Sequence, residues 1–178
     1  MIEQQAITTG AGFEAVVLPH LDAAYNLARW LTRNTADADD VVQEAMLRAA
    51  TYFTGFRGTN ARAWVLQIVR NTAYASKKLV RGAVLVALPG EGGGETHAPE
   101  LVDQGDDPET ALMRREDRRR VTRLLAGLPA ELRETLVLRE IEELSYKEIA
   151  QITGLSVTNV GFLLHQAMQE LGKDLGTA

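Results

Sequence analysis

The sequence predicts an all-α protein of two small helical domains joined by a flexible acidic linker. Three observations carry this. The 178 residues are 46% hydrophobic but only 6% aromatic, and a core built mainly from Ala, Leu and Val favours helices over sheets. Apolar residues recur at three-and-four spacing on both sides of the chain's middle. Between them, Ala87 to Leu112 holds five glycines, three prolines and seven acids with no Lys or Arg, and periodicity stops, as expected of a solvated tether. The resulting division is a tail over 1–12, a first domain over 13–83, a linker over 84–112 and a second domain over 113–178. Such a linker argues against one continuous core.

In the first domain, Phe13 to Arg33 has a helical period interrupted by Pro19, which bends or divides the helix. Asn34-Thr35-Ala36 reads as a break, after which Asp37 can cap a second helix with Asp39 and Asp40 in its first turn. Val41, Val42, Ala45, Met46 and Ala49 form that helix's buried side. Thr54 to Asn60 is a loop, with Asn60 as the next cap. A helix from about Ala61 to Val80 then carries Trp64, Val65, Ile68, Val69, Thr72, Ala73, Leu79 and Val80 on one face. Its opposite stripe is Gln67, Arg70, Asn71, Tyr74, Lys77, Lys78 and Arg81.

The second domain opens with Met113 to Leu128. Pro129 begins a helix at its first turn, running to about Glu142 on a stripe of Leu132, Leu136, Val137 and Ile141. Ser145-Tyr146-Lys147-Glu148 is a capping box opening a short helix through Ile152. Thr153-Gly154-Leu155 is the turn and Ser156 caps the last helix, Val157 to Leu171. This is helix-turn-helix spacing, which also occurs in plain packing units. Val157, Val160, Leu163, Leu164, Ala167, Met168 and Leu171 are the expected core positions of the last helix.

Charge is distributed unevenly. After Glu44 no acid appears until Glu91, and the 46 residues between hold Arg48, Arg57, Arg62, Arg70, Lys77, Lys78 and Arg81. The whole chain has net charge −5, so a one-signed field of this length points to a polyanion partner; the alternative is a solvated basic helix face. Cations that neutralise phosphates, an amide that reads base edges and a ring that stacks on an unpaired base together suit DNA. With no Cys, disulfides, thiolate metal sites and a Cys nucleophile are excluded. His20, His97 and His165 are far apart, so neither a metal nor another cofactor is expected. Met1 to Gly12 lacks the pattern of a signal peptide and no apolar run reaches membrane-spanning length, so a cytoplasmic protein without membrane insertion is expected.

Taken together, three segments resemble the sigma-70 family of bacterial transcription initiation factors in its small extracytoplasmic-function form. Asp37-Ala-Asp-Asp-Val-Val-Gln-Glu-Ala-Met-Leu-Arg48 looks like the segment that binds core RNA polymerase. Phe56-Arg-Gly58 followed by Ala63-Trp-Val-Leu-Gln-Ile-Val-Arg-Asn71 looks like the promoter-melting and −10 segments. Leu128-Pro, Leu136-Val-Leu-Arg-Glu-Ile, Leu144-Ser-Tyr-Lys-Glu-Ile-Ala150 and Leu164-His165 look like region 4, the −35 lobe. The segments occur in family order, which is more specific than any one of them.

The resemblance implies roles residue by residue. Asp37, Asp40, Gln43, Glu44 and Leu47 would meet the coiled-coil of the largest polymerase subunit. Phe56, Arg57, Asn60, Arg62, Arg70, Asn71, Tyr74, Lys77, Lys78 and Arg81 would hold the −10 DNA. Ser156, Thr158, Asn159, Phe162, His165 and Gln166 would meet the −35 element, and the second lobe would also meet the flap of the second-largest subunit. An anti-sigma factor is the expected regulator, and no catalytic residues are expected. The last helix departs from the family pattern: Glu170 is its one formal charge over Val157–Leu171, so it lacks phosphate anchors. That departure leaves a second reading, a sigma-like decoy that binds an anti-sigma factor without binding promoters. A magnesium-dependent enzyme using Asp37, Asp39 and Asp40 is disfavoured, because first-turn acids need no metal and no phosphate-cradling glycine loop accompanies them.

Overall fold

A computed structural model describes residues 12–84 and 108–175, with side chains described over 12–76, 116–117 and 119–173. The described residues are helical, with no strand among them. Helix α1 spans 12–17 and leads through a 3₁₀ turn, Leu18–His20, into α2, Leu21–Thr32. Pro19 sits in that turn and divides the helix as its missing N–H requires. Arg33 ends α2 in the left-handed region at φ 63°.

The cap of α3 (Thr35–Tyr52) differs from the expectation. Asn34, not Asp37, takes the position, its Oδ1 accepting from the N–H of Ala36 at 2.8 Å and of Asp37 at 3.3 Å. Asp37 thereby joins the first turn, where the helix dipole still favours it. Ala38, Val41, Ala45 and Ala49 are buried. A 3₁₀ turn, Phe53–Gly55, and the loop to Asn60 lead into α4, Ala61–Val84, four residues longer than its apolar pattern predicts. Asn60 caps it as expected, accepting from the Ala63 N–H at 2.9 Å.

The next described helix, α5, runs Pro108–Gly127 and so begins inside the expected linker. Proline suits a helix's first turn, which explains the early start. Val84, at the other end of the expected linker, closes α4, and 85–107 lie outside the described residues. Helix α6 is Ala130–Leu136, with Pro129 at the N-cap and not the first helical position. It does not continue as an α-helix to Glu142 but passes into a π-helical turn, Val137–Ile141. Glu143 follows at φ 52°. Helices α7, Tyr146–Thr153, and α8, Val157–Leu175, complete the fold. The Ser145–Glu148 capping box has both of its bonds, and Gly154 turns the chain at φ 74°. Ser156 Oγ accepts from the Asn159 N–H at 3.1 Å.

Helices α2, α3 and α4 pack together as the first lobe, and α8 is covered by α6 and α7 in the second. The lobes also pack on each other, α4 against α7 and α2 against α6. Contrary to the expectation of separate cores, one contiguous apolar cluster runs from Val17, Leu27 and Leu66 to Leu138, Ile149 and Val160. Two α8 positions expected in the core are on the surface: Val157 is 46% exposed and Met168 59%. They fit the apolar spacing, but no described element packs over that side of α8 closely enough to bury them.

Candidate nucleic-acid interface

On α3 the buried alanines and Val41 turn the opposite face to solvent. Asp37, Asp40, Gln43, Glu44 and Leu47 are all exposed on it, and Leu47 is 62% exposed. None is used by the core. Glu44 accepts from Arg48 Nε at 2.8 Å one turn later, a surface pair of the kind worth a few tenths of a kcal/mol. The face combines carboxylates, an amide and one uncovered leucine.

The α4 residues are distributed differently. Val65, Leu66, Val69, Thr72 and Ala73 are buried, while Trp64 is half-buried at the helix's entrance. Phe56 lies against Trp64 with ring centroids 4.6 Å apart, and Phe53 and Phe13 extend the cluster. The loop fits so closely that a Cβ on Gly58 would come within 2.9 Å of the Phe56 ring. Arg57 is exposed and donates to the Thr54 carbonyl at 2.8 Å. Asn71 is exposed as well. Lys77, Lys78 and Arg81 lie on the last turns of α4, with side chains outside the described residues, as are those of Leu79 and Val80.

Asn60, Arg62, Arg70 and Tyr74 do not face open solvent. Each reaches across to an acid of the second lobe. Asn60 Nδ2 donates to Glu148 Oε1 at 2.7 Å, and Arg62 Nη2 to Glu142 Oε2 at 2.6 Å. Arg70 spreads its guanidinium over Glu134, Nε to Oε1 at 2.6 Å and Nη2 to Oε2 at 3.4 Å. The Tyr74 hydroxyl donates to the same Oε2 at 3.0 Å, and the Arg70 guanidinium lies 4.7 Å from the Tyr74 ring. Charge-assisted contacts this short are the strong class of hydrogen bond. Burial, followed by the charge and hydrogen bond of Glu134, pushes the Tyr74 hydroxyl up to about 12. Its hydrogen bonds to Ser145, with Asn60 adding to them, hold Glu148 below the usual carboxylate range. Burial and the nearby Arg62 lower His20.

Glu134 and Glu142 are 3% and 4% exposed, and neither role is legible in the sequence. Glu134 stands among Leu132, Leu136, Val137 and Leu138 with no sign that the far side of α6 is covered as well. Only the interruption of a dense apolar run by Arg133-Glu134 hints at it. Arg133 is buried too, donating to the carbonyls of Ala126 and Leu128 and so tying α5 to α6.

In the helix-turn-helix, Ser156, Thr158, Asn159, Phe162 and His165 are exposed and Gln166 is half-buried. Phe162 is 66% exposed. The first cation of α8 after its start is Lys173, paired to Glu170 at 2.8 Å.

The geometry and the matched segments first define a class: a two-region helical protein closed by a helix-turn-helix. The family model for Sigma-70 region 2 matches residues 16–78, and that for Sigma-70, region 4 matches 118–171. RNA polymerase sigma-H factor of Pseudomonas aeruginosa is 30% identical over 169 residues, covering 92% of this chain and 86% of the relative. The ECF RNA polymerase sigma-E factor of Escherichia coli K12 is 31% identical over 142 residues, covering 77% and 73%. Among solved structures, the sigma factor RpoE of Bartonella quintana, in complex with the anti-sigma factor NepR, matches with TM-score 0.75 at 23% identity, covering 93% of this chain and 97% of that one. CnrH, in complex with the cytosolic domain of CnrY, matches with TM-score 0.63 at 25% identity, covering 97% and 95%. The chain belongs to the sigma-70 family of RNA polymerase sigma factors, and its curated relatives include extracytoplasmic-function members. No helix among the described residues is long and apolar enough to cross a membrane.

Proposed function

We propose that this chain docks on core RNA polymerase through the exposed face of α3 and holds melted −10 DNA against α4. Its helix-turn-helix carries the −35 contact. The polymerase performs the chemistry; the sigma factor contributes binding energy and strand capture, and works in the cytoplasm under an anti-sigma factor. The observation that carries the reading is the division of faces. Asp37, Asp40, Gln43, Glu44 and Leu47 share an exposed surface that the fold does not use, and the adjoining helix carries only cations as formal charges from Arg62 to Arg81. An acidic face suits a basic protein surface and would repel DNA, whereas the cationic one attracts it. The division into a first domain over 13–83 and a second over 113–178 belongs to the same proposal, with α5 of the second domain starting at Pro108.

The test adds the purified protein to core polymerase and scores transcription from a genomic promoter library. Initiated transcripts are expected, and Gln43→Ala with Glu44→Ala abolishes core binding while helicity is retained. Lys77→Ala weakens promoter binding and reduces the salt slope by about 1. The uncharged outward face of α8, with Phe162 at its centre, favours one other reading, the decoy. Core binding without transcripts from any promoter would establish that alternative.

A further inference from the structure

We propose that the closed form of this protein is self-inhibited: Glu134, Glu142 and Glu148 of the second lobe occupy the donors of α4 and its entry loop that the −10 strand needs. The inference rests on the reading of α4 as the −10 surface. Four of the ten residues assigned to that surface, Asn60, Arg62, Arg70 and Tyr74, are bonded to these three acids at 2.6 to 3.0 Å. A guanidinium presents the same fork to a carboxylate as to a phosphate. It cannot hold both, so strand capture and lobe closure compete for the same N–H groups. The acids come from three successive places, α6, the segment after the π turn and α7, so the whole flank of the second lobe takes part.

A second observation indicates a closed state poised to open. Glu142 is delivered by the π-helical turn Val137–Ile141 and followed by a non-glycine residue at φ 52°. Irregular backbone of this kind carries strain and clusters at switch regions. The same Glu142 gives one oxygen to Arg62 while its other, Oε1, is buried without a hydrogen-bond partner. A buried, unsatisfied carboxylate oxygen penalises the closed form, and rehydration on opening removes the penalty. Closure is therefore held by charge pairing and weakened by its own geometry. An anionic strand of DNA can displace it by offering phosphates to the same donors. No second protein is required for the inhibition.

The chain has no cysteine, so Ala50→Cys on α3 and Gln169→Cys on α8, both exposed, allow a donor–acceptor dye pair to report lobe separation in the full-length protein. DNA binding is read separately, on unlabelled protein, by anisotropy of a fluorescein-labelled single-stranded 20-mer of random sequence. The triple variant E134Q/E142Q/E148Q is expected to lower inter-lobe energy transfer and tighten binding of that probe about tenfold, the factor by which a minor open fraction depresses apparent affinity. Adding R62A and R70A to the triple variant should then abolish the gain. Lobes that stay together in the triple variant would overturn the inference. So would lobes that separate without tighter DNA binding while R62A and R70A still weaken it; that outcome leaves the −10 surface intact and removes only the competition. If R62A and R70A have no effect in the opened protein, the −10 assignment itself fails and the inference falls with it. Should the triple variant lose helicity, E142Q alone carries both readouts, with a rise of about threefold expected; no rise overturns the proposal.

Discussion

Arg70→Ala is the most informative single substitution in the closed form. It removes the guanidinium from Glu134, which is 3% exposed, and leaves the Tyr74 hydroxyl at 3.0 Å. Deleting one partner of a buried pair costs about 3–5 kcal/mol, because the other charge stays desolvated. Arg70 is 21% exposed and Tyr74 still donates, so about 2–3 kcal/mol is expected here. A further limit applies: once the cost exceeds the free energy of closing, the lobes part and Glu134 meets water. The loss then equals that closing energy, and the inter-lobe dye pair reports the opening. Urea unfolding, followed by the fluorescence of Trp30 and Trp64 and by far-UV circular dichroism, measures the loss through the shift in midpoint. Arg70→Ala combined with Glu134→Gln should recover about 1 kcal/mol, since the amide has no charge to strand. A loss under about 0.5 kcal/mol with energy transfer unchanged and the two substitutions strictly additive would refute the reasoning, for then no such pair exists in solution.

Three other outcomes follow from local geometry. The pKa of Glu148 is lowered in the folded state, so its contribution is present above the ordinary value and is lost as pH falls through the folded one. Glu148→Gln should therefore lower the thermal midpoint at neutral pH and flatten its decline in acid; a parallel curve would contradict this. Tyr74 is raised to about 12, so its contribution is complete below pH ~10 and disappears between ~10 and ~12; Tyr74→Phe should remove the latest-titrating component of the 295 nm absorbance. Gly154 holds φ 74° with nothing within 4 Å of a built Cβ, so Gly154→Ala costs about 1 kcal/mol from backbone strain alone, readable as a lower urea midpoint with the helix content intact.

The sequence by itself determined every helix that a local signal encodes. Pro19, the Asn60 cap, the Ser145–Glu148 box and Gly154 each act within one turn of chain, and each is found where the pattern places it. The exposed face of α3 was equally legible, since 3.6-residue periodicity alone separates Asp37, Asp40, Gln43, Glu44 and Leu47 from Ala38, Val41 and Ala45. Where two local signals compete, the pattern misplaces the cap: Asn34 and Asp37 both cap well, and the chain uses the one that follows the left-handed Arg33. Only the tertiary structure decided what faces what. Val157 and Met168 fit the apolar period of α8 but stay exposed, while Glu134 and Glu142 break theirs and are buried. The same is true of the cationic stripe on α4. Its charge could be read from the sequence, but its pairing with Glu134, Glu142 and Glu148 joins residues 60 to 88 positions apart. No periodicity reaches across that separation. The contact exists because α4 and α2 pack against α7 and α6, bringing bases against acids of which Glu134 and Glu142 are shielded from water.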